Sequence, residues 1–128
     1  MNSVLFAADA DWVSEEVFSA LVDTDTYVSR VAEGREIRAA LDEVQPDLIV
    51  LDMQIGSMGG VATCLDLRHD MEAGRVSPVP ILLLLDRDAD QFLAKESGAD
   101  GWLVKPLNPL LLRRTASEML ARKTATAS

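Results

Sequence analysis

The stretch Asp47-Leu48-Ile49-Val50-Leu51-Asp52 decides the fold, because an unbroken aliphatic run ends at an acidic residue. A short run that is apolar at every position is typical of a strand buried on both faces of a parallel sheet. A second run, Gly101-Trp102-Leu103-Val104, ends at Lys105-Pro106. Because ligands bind beyond the carboxyl ends of strands in open parallel sheets, we expect a carboxylate and an ammonium group to meet at one edge of the sheet.

Predicted strands and helices alternate along the whole chain. Helices are predicted where apolar residues recur at intervals of three or four, and strands from short apolar runs. Asp11 is predicted to cap the first helix, and Asn108-Pro109 places a capping residue and a helix-starting proline before the last. The predicted strands are Val4–Ala8, Tyr27–Val31, Asp47–Asp52, Ile81–Leu85 and Gly101–Lys105.

This alternation predicts the α/β fold class, with a flavodoxin-like, doubly wound sheet of five parallel strands and five helices on its two faces. We expect Val4–Ala7, Leu48–Leu51 and Ile81–Leu85 to be central strands. Tyr27–Val31 mixes apolar and polar residues and is expected at an edge. Residues 1–122 are predicted to form one domain, and residues 123–128 a short polar tail.

Composition and charge argue against several classes of protein. The chain has 128 residues, which suits one domain, and its net charge of −9 argues against direct binding to nucleic acid, which needs a basic face. No uncharged apolar run is long enough for a membrane span and no secretory signal is visible, so membrane insertion is not expected. The single cysteine, Cys64, is predicted to be a buried structural thiol. These features predict a cytoplasmic location.

Two stretches, Asp47 to Gly60 and Gly98 to Pro106, resemble the receiver domain of bacterial two-component response regulators. The resemblance extends from Ser3 to about Leu120. It implies that Asp52 is the phosphoacceptor, that Lys105 contacts the phosphoryl group and that Trp102 is the switch aromatic. It also implies a cis peptide bond between Lys105 and Pro106, which only a following proline makes plausible.

The sequence departs from the family pattern at the site itself. The acidic pair after the first strand maps onto Ala8 and Asp9, so one acid is missing, and the threonine or serine that ends the fourth strand maps onto Leu85. The small residue after that position maps onto Asp86, which adds a negative charge. A lost hydrogen bond to a charged group is worth about 1.5–3 kcal/mol. We therefore expect poor phosphorylation of Asp52, or phosphorylation without the coupling that the family usually shows at the two switch positions, here Leu85 and Trp102.

The resemblance implies Mg²⁺ as the cofactor. Mg²⁺ prefers oxygen ligands and keeps several waters. Asp9, Asp52 and the backbone carbonyl of Gln54 are the predicted ligands, and Asp86 is an alternative whose direction the sequence does not give. With Ala8 in place of an acid, Mg²⁺ binding is expected to be weak or absent.

The leading hypothesis is an atypical, stand-alone receiver in a two-component phosphorelay. Its expected partners are a histidine kinase or phosphotransfer protein and an effector protein, with no direct contact to nucleic acid. The effector is expected on the face of the fourth helix, fifth strand and fifth helix, where Trp102, Leu107 and Leu110–Leu112 supply apolar material. The chain is not expected to be an enzyme, beyond slow self-phosphorylation and autodephosphorylation at Asp52.

Two other hypotheses compete with this one. The first is a phosphorylation-independent pseudo-receiver, in which the fold survives as a binding module while the switch is degenerate. The second is an enzyme that uses Asp52 as a nucleophile on a small phosphate ester. That chemistry needs a second acid–base group, and none is visible in the sequence.

Overall fold

The computed structural model describes residues 2–56 and 59–127, with side chains described as far as Arg122. Its five parallel strands form one sheet in the order β2-β1-β3-β4-β5, which confirms the predicted fold class. The strands are β1 (Asn2–Ala7), β2 (Thr26–Val31), β3 (Leu48–Asp52), β4 (Ile81–Leu85) and β5 (Gly101–Val104). The helices are α1 (Asp11–Leu21), α2 (Ile37–Val44), α3 (Gly60–Glu72), α4 (Gln91–Glu96) and α5 (Pro109–Ala127).

The sheet lies between two helical layers. All residues of β3 and β4 are buried, and alternate side chains of these strands enter two separate apolar clusters. One cluster packs against α1 and α5, and the other against α2, α3 and α4. The prediction that β1, β3 and β4 are central and β2 is an edge strand is confirmed. Cys64 is buried in the second cluster, as predicted.

The first residues of α5 and α1 test the two helix caps that the sequence predicts. Asn108 Oδ1 accepts a hydrogen bond from the Leu111 N–H at 3.1 Å at the start of α5, which confirms the predicted cap. The prediction that Asp11 caps α1 is wrong, because Asp11 is the first helical residue and no side chain caps that end. The Asp11 carboxylate instead pairs with Arg30 Nη1 at 2.9 Å. Arg30 also donates to the carbonyls of Ala8 and Asp9, so it ties β2 to the loop after β1.

Helix α5 differs from the prediction at two places. Leu112 is fully buried in the cluster that α5 forms with α1, so its prediction as part of a partner-binding face is wrong. The helical periodicity turns Leu112 inward while it leaves Leu110 and Leu111 exposed. The helix also continues into the predicted tail, of which Ser128 lies outside the described residues. The predicted domain boundary at residue 122 stays a prediction.

A close backbone contact fixes the loop after β3. A Cβ atom on Gly60 would lie 2.3 Å from the carbonyl oxygen of Asp52, so only glycine allows α3 to begin this close to the end of β3. The preceding Gly59 has a φ of +81°, which also favours glycine. The two glycines therefore hold α3 against the strand that carries Asp52. None of the described helices is both long and apolar enough to cross a membrane.

Candidate functional site

Asp52 and Lys105 meet at the carboxyl edge of the sheet. Asp52 ends β3 and is fully buried, and Lys105 follows β5 with a side chain that is only 10% exposed. Lys105 Nζ lies 2.5 Å from Asp52 Oδ1, an ion-pair contact. Among the described residues, neither oxygen of the Asp52 carboxylate has a hydrogen-bond partner. The buried carboxylate therefore depends on Lys105 for compensation, and its second oxygen, Oδ2, has no hydrogen-bond partner among the described residues.

Lys105 has a second carboxylate partner. Its Nζ donates to Asp86 Oδ1 at 2.7 Å, and Asp86 Oδ2 accepts a hydrogen bond from the side-chain amide of Gln54 at 2.9 Å. The ammonium also lies 5.6 Å from the centroid of the Trp12 ring, within the range of a cation–π interaction. Residues from the ends of β3, β4 and β5 and the start of α1 thus converge on one ammonium group.

Burial and charge act against each other at this site. Burial raises the pKa of the Asp52 carboxyl, and the Asp86 charge acts in the same direction, while Lys105 opposes both. Burial alone would lower the pKa of Lys105, but its contacts with Asp52 and Asp86 outweigh burial and the pKa is raised. Burial likewise tends to raise the pKa of Asp86, but the hydrogen bond from Gln54 and the contact with Lys105 leave this pKa lowered. Asp86 therefore carries its charge more readily than Asp52.

The predicted magnesium ligands are only partly assembled. The side chain of Asp9 is exposed, and its backbone N–H donates to the Gln54 carbonyl at 3.0 Å, which occupies one acceptor position of that oxygen. Ala8 is fully buried where a second acid would stand. Within residues 2–56 and 59–127, no three acidic, histidine or cysteine side chains form a group that could hold a metal ion. The buried Oδ2 atom of Asp52, which has no hydrogen-bond partner among the described residues, fits a cation, but the donor set favours weak binding.

Comparison with known proteins gives the family. The family model described as the response regulator receiver domain matches residues 4–117. The chain belongs to this family. The receiver domain is part of two-component signalling, and the structure contains its cis Lys105–Pro106 bond, as the resemblance implied.

Several relatives and solved structures are similar to this receiver domain. The transcriptional regulatory protein AfsQ1 of Streptomyces coelicolor is 32% identical over 95% of this chain and 52% of its own length. The DNA-binding response regulator MtrA of Mycobacterium tuberculosis is 36% identical over 85% of this chain and 46% of its own length. The chemotaxis response regulator CheY4 of Vibrio cholerae is 30% identical with a TM-score of 0.79, covering 93% of this chain and 98% of that one. The receiver domain thus spans about half the length of the curated relatives it matches.

The two predicted switch positions of the receiver domain lie on the side of the sheet that faces α4. Leu85 ends β4 and is fully buried in the apolar cluster there. Trp102 is half-buried against the same cluster, and its indole N–H donates to Gln91 Oε1 at 3.2 Å. The structure therefore links Trp102 to the first residue of α4. Leu85, in contrast, is an apolar core residue that offers no hydroxyl group to the site.

Three contacts at the site did not follow from sequence reasoning. These are the bridge from Lys105 to Asp86, the amide of Gln54 on Asp86, and the ring of Trp12 beside Lys105. A signal existed for Asp86, since it directly follows β4 and so belongs to the same sheet edge as Asp52. For Gln54, the sequence predicts only a role of the backbone carbonyl, because the side-chain direction depends on a loop whose course the sequence does not reveal.

Proposed function

We propose that this receiver domain is a phosphoacceptor module, in which Asp52 takes a phosphoryl group from a histidine kinase or phosphotransfer protein. One observation carries the proposal. The Asp52 carboxylate is fully buried at the ligand-binding edge of the sheet, with Lys105 Nζ 2.5 Å from one oxygen. The other oxygen has no hydrogen-bond partner among the described residues. A buried carboxylate is costly, and this arrangement suits a residue that reacts rather than one that supports the fold.

The proposed reaction is an in-line phosphoryl transfer. An oxygen of Asp52 forms a bond to phosphorus while the phosphorus–nitrogen bond of the donor phosphohistidine breaks, and the electron pair stays on the imidazole nitrogen, which takes up a proton. Positioning and charge compensation supply most of the catalysis in such transfers. Lys105 is already within contact distance of Asp52 and is placed to pair with an oxygen of the transferred group. Water then hydrolyses the acyl phosphate slowly, and slow self-phosphorylation and this autodephosphorylation at Asp52 are the only enzymatic activities that we propose.

Mg²⁺ is the proposed cofactor, held weakly by Asp52, Asp9 and the backbone carbonyl of Gln54. When bound, the cation neutralises charge on the phosphoryl oxygens. The Oδ2 atom of Asp52 supports the proposal, because it is a buried carboxylate oxygen without a hydrogen-bond partner among the described residues. The exposed side chain of Asp9 and the partly occupied Gln54 carbonyl are reasons to expect weak affinity.

The proposed output is binding of an effector protein through the face of α4, β5 and α5. Four apolar side chains on the two helices support this surface, since they are large and exposed. They are Phe92, Leu93, Leu110 and Leu111, with Phe92 69% and Leu110 77% exposed. Large apolar side chains that lie together on a surface are typical of interaction sites. The net charge of −9 supports the absence of direct contact with nucleic acid. The stand-alone form and the cytoplasmic location stay predictions.

A pseudo-receiver that binds its partner without phosphorylation is the second candidate. Two observations favour it. Leu85 fills the core at the position where the family has a hydroxyl, and Lys105 is already bound to Asp86 before any phosphoryl group arrives. In this case the domain would present the same effector face in a single state.

Intact-mass measurement separates the two candidates. The protein would be incubated with acetyl phosphate and Mg²⁺, with the Asp52→Asn variant as control. A gain of one phosphoryl mass that is absent from Asp52→Asn is the expected result. If the mass of the wild-type protein does not change on incubation, either with acetyl phosphate or with phosphohistidine-containing donors, the result would favour the pseudo-receiver.

A further inference from the structure

Asp86 holds Lys105 with a geometry that does not depend on any added ligand. Its Oδ1 accepts from Lys105 Nζ at 2.7 Å, and its Oδ2 accepts from Gln54 Nε2 at 2.9 Å. Both oxygens of the Asp86 side chain are therefore in use, one on the ammonium and one on the amide. The Gln54 amide fixes the direction of the carboxylate, because a hydrogen bond on one oxygen limits rotation about the side chain.

We propose that Asp86, oriented by Gln54, is a positioning residue that holds the Lys105 ammonium in a bridge to Asp52 and competes with an incoming phosphoryl group for it. The pair Asp86 and Gln54 is called the lysine clamp below. The competition rests on the proposed phosphoacceptor role of Asp52, whereas the clamp itself does not. It adds a determinant of phosphorylation rate at the residue that follows β4.

The geometry distinguishes the clamp from a replacement metal ligand. A carboxylate that substitutes for the acid missing at Ala8 would need an oxygen directed at a cation together with Asp52. In the structure, both oxygens of Asp86 have hydrogen-bond donors, and the positive charge between Asp86 and Asp52 is the Lys105 ammonium. The Lys105–Asp86 pair is partly exposed, with the Asp86 side chain 31% and the Lys105 side chain 10% exposed, and charge-assisted hydrogen bonds are stronger than those between neutral groups.

The clamp has a direct consequence for phosphoryl transfer. For Lys105 to pair fully with a phosphoryl oxygen, it must weaken or leave its contact with Asp86. The charge of Asp86 also repels the anionic group that approaches Asp52. Removal of the Asp86 side chain is therefore expected to accelerate phosphorylation, whereas removal of a metal ligand would slow it.

The first test measures the reactivity of Lys105 in the unphosphorylated protein without Mg²⁺. Acetic anhydride at limiting concentration would label the lysines, with the exposed Lys95 as internal reference, and peptide mass mapping would give the rates. In Asp86→Ala, Lys105 should react at least about threefold faster relative to Lys95, the size expected when a partly exposed ion pair is lost. Gln54→Ala should give a smaller increase. Asp88→Ala, which removes an exposed acid two residues away, should give none.

The second test measures phosphorylation of Asp52 by acetyl phosphate with Mg²⁺ in the same variants. Asp86→Ala should be about three- to tenfold faster than wild type and than Asp88→Ala, within the range for loss of one charge-assisted contact. Equal Lys105 reactivity in Asp86→Ala and Asp88→Ala would overturn the clamp. Faster labelling of Lys105 with unchanged or slower phosphorylation would overturn the competition. If no variant is phosphorylated, the proposed function fails, and the reactivity of Lys105 alone decides the clamp.

Discussion

Replacement of Lys105 by methionine should destabilise the domain in a pH-dependent way. Methionine keeps most of the aliphatic stem but removes the ammonium that lies 2.5 Å from the fully buried Asp52. The remaining carboxylate must then be buried as an uncompensated charge or take up a proton. Because the ordinary pKa of an Asp is about 3.9, neutralising it at pH 7 costs about 4 kcal/mol, at about 1.4 kcal/mol for each pH unit. At pH 5 the same step costs only about 1.5 kcal/mol.

These values set a ceiling for the pH-dependent part of the loss. Burial already raises the pKa of Asp52 in the wild-type protein, so some of this cost is present before the substitution. Without Lys105 the pKa rises further. A carboxyl group whose pKa is raised in the folded state loses stability as the pH rises above its ordinary pKa. The pH-dependent part of the difference between wild type and Lys105→Met should therefore be small near pH 4 and grow toward at most about 4 kcal/mol at pH 7, in addition to the loss of the Lys105 contact with Asp86.

Urea denaturation between pH 4 and pH 7 measures this difference. Lys95→Met is the matched control, since Lys95 is exposed. The decisive comparison is Lys105→Met in an Asp52→Asn background, where the buried carboxyl is gone and the growth of the loss with pH should disappear. A loss that is the same at every pH, or one that still grows with pH in the Asp52→Asn background, would refute the reasoning.

Three further predictions concern the core and the cation site. Leu83→Asp should unfold the domain, because an unpaired buried charge costs several kcal/mol against a total stability of about 5–15 kcal/mol. The control Leu65→Asp, at an exposed position, should melt near the wild-type temperature, and equal melting temperatures of the two variants would contradict the assigned core. A Mg²⁺ titration followed by tryptophan fluorescence should show binding weaker than micromolar, and saturation in the micromolar range would show that the site is better built than we infer. The double change Ala8→Asp with Leu85→Thr should strengthen Mg²⁺ binding and raise phosphorylation of Asp52. Without Mg²⁺ it should also lower stability, because it places a carboxylate at the fully buried position 8 and a hydroxyl in the core. A double variant equal to wild type in Mg²⁺ binding and in phosphorylation would show that these two positions do not limit the site.

The sheet could be predicted from sequence because strand burial leaves a local pattern. In β3 and β4 every residue is buried, and an unbroken aliphatic run is the direct result. The start of α5 could be predicted from Asn108-Pro109 for a similar reason, because a capping side chain and the fixed φ of proline both act within one helical turn. The same local reasoning failed at Asp11, where a long-range ion pair with Arg30 of β2 determines the side-chain position.

The candidate site could be predicted only to the level of which strand ends meet. The end of the buried strand β3 gives the position of Asp52, and the end of the partly buried edge strand β5 gives that of Lys105, because parallel strands align their carboxyl ends. The direction of Asp86 was beyond the sequence, since it depends on a side chain from a different loop, Gln54. Trp12 lies beside Lys105 because α1 packs on the same face of the sheet as α5. This is a tertiary contact, for which the sequence carries no local signal.

The charges at the sheet edge determine what phosphorylation of Asp52 would do to the lysine clamp. Asp52 and Asp86 share one ammonium, so the three groups together carry a net negative charge before phosphorylation. Phosphorylation replaces the −1 charge of the Asp52 carboxylate with an acyl phosphate, which carries about −1.5 to −2 if it resembles other phosphorylated side chains, so the negative charge of the three groups rises. Lys105 cannot balance all of these groups at once. Phosphorylation of Asp52 must therefore recruit a cation or displace Lys105 from Asp86. If it displaces Lys105, the end of β5 changes its contacts close to Trp102 and α4, and the domain becomes a switch. If Asp52 is not phosphorylated, the lysine clamp keeps a single state and the domain remains a binding module.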